Sequence, residues 1–162
     1  MASADHQAAR TAFPLFLKSC SLLVDRLDRR LQEQVGIQLT WYEVLAQLSS
    51  SSSGMMPMKQ LAESVSLSKS GITRLIDRME RAGLVQRHAC TADGRVCFAG
   101  LTRRGLSVLQ MARPVAAEGV EEYFARHITT EEAEVMAGAL RKVLEAGNPA
   151  QPQPAQPVRS SA

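Results

Sequence analysis

The feature that most constrains this chain is a change of hydrophobic period in its middle. Met58, Leu61, Ala62 and Val65 recur at helical spacing, and so do Ile72, Leu75, Ile76 and Met79. Each set falls on one face of a short helix. Only Ser66 and Leu67 are left between the two for a turn, and Ser68 stands where an N-cap belongs. Gly83 is placed to end the second helix as a C′ residue. After it the helical period stops. The β-formers Leu84, Val85, Val96, Phe98 and Leu101 flank Asp93-Gly94, a dipeptide suited to a two-residue hairpin turn. Two helices meeting at a tight turn, followed directly by a hairpin, predict a helix-turn-helix with a wing.

The flanks are helical. Phe13, Phe16, Leu17, Cys20, Val24, Leu27 and Leu31 give a long amphipathic helix over 12–34, ended near Gly36. Thr40 is the expected N-cap of the next helix, with Trp41, Val44, Leu45 and Leu48. The serine run 49–53 with Gly54 reads as a flexible inserted loop. Thr102 caps a helix carrying Leu106, Leu109, Ala116, Val120 and Phe124, in which Pro114 is expected to introduce a kink. Thr129 and Glu132 form a capping box before Met136, Leu140, Val143 and Leu144. The expected fold class is mainly α with a small β-hairpin wing. Residues 39–102 form the winged helix-turn-helix unit, and 12–38 with 103–146 form a helical region. Residues 1–11 are expected to be flexible, and 147–162, with four of the seven prolines, to be a disordered tail.

At 162 residues and 45% hydrophobic content the chain can bury a core. No stretch is apolar enough for a membrane span, and the start does not resemble a signal peptide. Three cysteines are too few for a disulfide scaffold. A cytoplasmic protein is expected. There is no Gly-rich phosphate loop, and His6, His88 and His127 sit in unrelated segments, so neither enzyme chemistry, a cofactor nor a metal is expected.

Charge becomes informative once it is divided. The total is only +3, yet residues 58–105 hold nine cations and four anions, and the remainder is mildly acidic. Positive charge is therefore concentrated on the helix-turn-helix and wing, as phosphate binding requires. On the second helix Lys69, Ser70, Thr73, Arg74, Asp77 and Arg78 lie away from the apolar face. Small residues at its start would let it approach a major groove, and Arg74 can offer a bidentate fork to guanine. Arg95, just past the hairpin tip, could enter a minor groove, with Asp93 bracing it or holding the turn beside Gly94. The alternative is a solvated helix face in which Asp77 and Glu80 partly neutralise Arg74 and Arg78.

Several of these motifs together resemble the MarR family: Leu39-Thr40, Leu61-Ala62, Ser68 through Glu80, Gly83-Leu84-Val85 with Arg87, Asp93-Gly94-Arg95, and Leu101-Thr102 with Gly105. The resemblance spans about residues 12–146. It implies a homodimeric winged-helix transcription regulator, usually a repressor of a palindromic operator released by a small molecule. The first and last two helices would then be the dimerisation region. It also implies DNA contacts by Ser70, Thr73, Arg74, Arg78 and Arg95. Three departures stand out. Gly71 replaces a small hydroxyl or methyl residue, Lys69 replaces a common proline, and the serine run lengthens a loop.

For the signal, family ligand clefts point to Leu23, Arg26, Trp41 and Val44. A thiol-based alternative rests on Cys20 and on Cys90 and Cys97, which would face each other if Asp93-Gly94 were a two-residue turn. A winged-helix module that binds protein instead of DNA is a further alternative.

Overall fold

The computed structural model describes residues 2–89 and 97–147. The chain divides into two compact units at Phe124/Ala125. The first holds α1 (Ala2–Val35), α2 (Leu39–Ser50), β1 (Met55–Pro57), α3 (Met58–Ser64), α4 (Lys69–Arg81), β2 (Val85–Ala89), β3 (Cys97–Leu101) and α5 (Arg103–Tyr123). The second holds a 3-10 turn, Ala125–His127, and α6 (Thr130–Gly147).

The winged helix-turn-helix is present where the change of period places it. Ser66 takes a left-handed φ of +53° at the turn. Gly83 is also left-handed, and Leu84 N donates to Met79 O at 3.0 Å across it, closing the end of α4. Thr102 caps α5 by accepting from Gly105 N at 2.9 Å, and donates its own hydroxyl to Gly83 O at 2.8 Å. One threonine thus joins the exit of α4 to the start of α5. Gly105 sits so close to this junction that a Cβ there would lie 2.0 Å from Leu84 O.

Four features differ from the sequence expectation. α1 begins at Ala2 and not near residue 12, because Ala2, Ala4, Gln7, Ala8, Ala9 and Arg10 continue a helix on propensity alone, without an apolar stripe. The N-cap of α2 is Gln38 and not Thr40. Its side chain makes no cap bond, and Asp28 from α1 accepts from Leu39 N at 2.7 Å. The serine segment is a built turn. Ser51 Oγ donates to Met55 O at 2.7 Å, and Gly54 O accepts from Leu101 N at 2.9 Å. That turn delivers β1, which pairs antiparallel with β3, so the wing is a three-stranded sheet in the order β1-β3-β2. The helix expected after the Thr102 cap is present as α5, from Arg103 to Tyr123, with Pro114 inside it.

The core of the first unit is continuous. Leu31 of α1, Val44, Leu45 and Leu48 of α2, Leu61 of α3, Ile72, Ile76 and Met79 of α4, Ala99 of β3 and Leu109 and Ala112 of α5 form one buried cluster. It does not break at the expected boundaries 38/39 and 102/103. α1 and α5 are also tied by Arg30, which meets Glu118 and Glu122, each at 2.8 Å, and the Tyr123 hydroxyl at 3.4 Å. Its guanidinium is held further above the usual arginine range by the hydrogen bonds to Tyr123 and Glu118. In the second unit Thr129 and Glu132 form the reciprocal capping box, at 2.8 and 3.2 Å.

Candidate nucleic-acid interface

α4 is anchored by one face. Ile72, Leu75, Ile76 and Met79 are buried, at about 1.5–3 kcal/mol of burial free energy for each large side chain. The opposite face carries Lys69, Ser70, Thr73, Arg74, Arg78 and Arg81, all exposed. These include every α4 residue that the sequence assigns to DNA contact. At the start of the helix Ser68 Oγ accepts from Gly71 N at 3.0 Å and lies 3.2 Å from Ser70 Oγ. Thr73 Oγ1 donates to Lys69 O at 2.8 Å, which leaves its lone pairs open to a donor.

Arg87, on β2, is one of the nine cations that the sequence concentrates in residues 58–105. The structure turns it inward. Its guanidinium pairs with Asp77 and donates to Thr73 O at 3.1 Å, and its backbone N–H donates to Glu80 Oε1 at 2.8 Å. Arg87 therefore brackets the wing strand to α4. It also pairs with Asp77, one of the two acids expected to offset Arg74 and Arg78, while Glu80 accepts only its neutral backbone N–H; neither Arg74 nor Arg78 has an ion-pair partner among the described residues. Asp77 is thus neutralised by Arg87 and not by Arg74 or Arg78. Sequence spacing could not reveal this, since Arg87 is distant in sequence from Thr73 and Asp77.

The arms of the wing are described, whereas Asp93, Gly94, Arg95 and Cys90 lie outside the described residues. The strand register still bears on the cysteines. Cys97 pairs with Ala89, Ala99 with Arg87 and Leu101 with Val85. The strand partner of Cys97 is therefore Ala89, and the expected pairing with Cys90 falls on a residue outside the described ones. Val85 and Ala99 are both buried on the inner face, and a one-residue slip would turn one of them outward. Cys97 is an exposed free thiol and Cys20 a half-buried one. No group of metal-ligating side chains occurs among the described residues.

Of the four residues proposed for a ligand pocket, Trp41 lines a cleft, and the other three have separate places. Val44 is fully buried in the core. Arg26 places its guanidinium over the Tyr123 ring, 5.5 Å from the centroid, and Leu23 is half-buried on α1. Trp41 lines its cleft, of about 230 Å³, with Gln32, Gly36, Ile37, Gln38 and Arg78. Its indole Nε1 is buried without a hydrogen-bond partner among the described residues. Arg78 thus borders both the cleft and the exposed basic face of α4.

Fold and site together define a winged helix-turn-helix DNA-binding regulator. Residues 35–96 match the model of the MarR family. AbsC of Streptomyces coelicolor, a MarR family transcriptional regulator, is 32% identical in sequence and superposes with a TM-score of 0.81, over 86% of this chain and 94% of its own. Sco3205 of the same organism, solved in complex with DNA, is 28% identical with a TM-score of 0.81, over 89% of this chain and 92% of that one. The regulator MhqR of Bacillus subtilis is 28% identical over 119 residues, 74% of this chain and 79% of MhqR. The chain belongs to the MarR family of transcriptional regulators. It is a regulator and not an enzyme. None of its described helices is long and apolar enough to cross a membrane.

Proposed function

We propose that this chain acts in the cytoplasm as a homodimeric repressor of a palindromic operator, released by a small-molecule effector. The observation that carries the DNA part is the division of α4. One face is locked into the core, and the other presents Lys69, Ser70, Thr73, Arg74 and Arg78 beside a wing fixed by Arg87. Arg74 reads a base edge in the major groove, Lys69 and Arg78 meet phosphate, and Ser70 and Thr73 make short polar contacts.

Dimerisation is supported by apolar surface that one chain leaves bare. Phe13 is 60% exposed and Leu17 50%. Phe16, Leu22 and Val24 on α1 and Val135, Val143 and Leu144 on α6 are exposed as well. Two-fold pairing would set two recognition helices about one helical turn apart on the duplex. For the effector, the cleft beside Trp41 is the best-supported seat, because occupancy there touches Arg78 and so the DNA-facing helix.

The test is binding to duplexes from the chain's own upstream region, followed over a salt series. The expected result is one preferred duplex with affinity falling steeply as salt rises. Equal and weak binding to all duplexes would refute the reading.

A further inference from the structure

Nearly every glycine described in the first unit has a reason in the fold. Gly36, Gly54 and Gly83 take left-handed φ values of +77°, +66° and +72°. Gly100, Gly105 and Gly119 sit where a Cβ would come within 3.0 Å of His88, Leu84 and Leu27 respectively. Gly71 has neither reason. Its backbone is not left-handed, and a Cβ there would meet first Ser68 Oγ, at 3.1 Å, the cap oxygen, which would have to shift by a few tenths of an ångström while still accepting from Gly71 N. The next atom, Leu67 Cβ, is at an ordinary 3.7 Å.

Gly71 is nevertheless the third residue of the recognition helix, a poor place for a glycine. Ser70 and Thr73 beside it also rank low as helix formers. Lys69, Ser70 and Gly71 bury no apolar side chain, and the buried set of α4 begins only at Ile72. The first turn is therefore held by the Ser68 cap, by the bond from Ile72 N to Ser68 O at 2.9 Å and by local hydroxyl bonds, without an apolar anchor before Ile72, while the rest of α4 is held by the core.

We infer that Gly71 limits operator affinity, by leaving the first turn of the recognition helix marginally stable in the free protein. The operator must then supply the ordering of that turn, which subtracts from binding and speeds release. This rests on the DNA-binding reading above, and it assigns to Gly71 a role that no fold requirement explains. Alanine fits the site if Ser68 Oγ moves by a few tenths of an ångström.

The test compares the full-length chain with its Gly71→Ala variant. The variant is expected to bind the preferred upstream duplex two- to five-fold more tightly, mostly through slower dissociation, with a smaller change on an unrelated duplex. Five-fold is about the 1 kcal/mol by which alanine outranks glycine in a helix. Amide hydrogen exchange gives an independent readout. In the free wild type the amides of residues 71 and 72 should exchange far faster than that of Met79, and should slow both on adding the duplex and in the free variant. Unchanged or weaker operator binding by the variant overturns the inference, as does slow exchange of those amides in the free wild type. If the wild type binds no duplex at all, the DNA reading fails, and exchange in the free protein still decides whether the turn is marginal.

Discussion

α1 and α4 are both amphipathic, and what each leaves uncovered is opposite in kind. α4 buries Ile72, Leu75, Ile76 and Met79 and exposes lysine, arginine and hydroxyls. α1 buries Leu31 and half-buries Leu27 and Cys20, yet its earlier turns expose Phe13, Leu15, Phe16 and Leu17. The polar surplus on α4 can rest in water and needs no partner to be stable. The apolar surplus on α1 cannot do so cheaply, at about 25 cal/mol per Å² left wet. The comparison teaches that the two ends of this unit ask for different partners: α4 for a polyanion and α1 for another apolar surface.

The sharpest way to break the comparison is to make the α1 surplus polar. Phe16→Asp with Leu17→Asp should yield a monomer by sedimentation. Operator affinity should fall by about 100-fold or more, since the two half-sites are no longer bound by one body. A variant that stays dimeric would remove α1 from the interface. Arg74→Ala comes next. It should cost about 1–3 kcal/mol of operator binding and flatten the preference among single-base operator variants, while the oligomeric state is unchanged. If only non-specific affinity falls, Arg74 is a phosphate ligand and not a reader.

Arg87→Gln sharpens the role of the wing. It should lower unfolding free energy by about 1 kcal/mol, because the pair with Asp77 is about one-third exposed and partly screened. Operator binding should fall more than binding to random duplex. Equal losses on both would mean that the bracket does not orient the wing. A smaller effect belongs to the other unit. Thr129→Ala removes half of the capping box and should destabilise α6 by about 1 kcal/mol, read as lost helicity, with Arg74 chemistry untouched. Smallest of all is Cys97→Ser, expected within about 0.5 kcal/mol of wild type and without effect on operator binding in the presence of peroxide.

Much of this was legible in the sequence wherever the cause is local. Ser68, Thr102 and the Thr129–Glu132 box cap the helices they precede, and each bond spans three residues. The buried face of α4 follows from a 3.6-residue period. What escaped is non-local. Asp28 caps α2 from another helix, 11 residues away in sequence. β1 has only three residues, too few to show alternation, and exists because Phe98–Gly100 of β3 pairs with it. The hairpin register departs from the one that Asp93-Gly94 suggests, because burial of Val85 and Ala99 outweighs a local turn preference. Among the site residues, the exposed cations of α4 were readable, but the inward turn of Arg87 was not. The cleft beside Trp41 was only partly anticipated, since Arg78 and the α1–α2 connection reach it from separate parts of the chain.

In the proposed function the apolar surplus of α1 and the basic surplus of α4 act together on one duplex. The most direct measurement is the mass of the complex formed with a single upstream duplex, by light scattering or sedimentation. Two chains per duplex are expected in the wild type, with loss of that complex in the Phe16→Asp, Leu17→Asp variant. A stable complex of one chain per duplex, equally tight in wild type and variant, would contradict the proposed function.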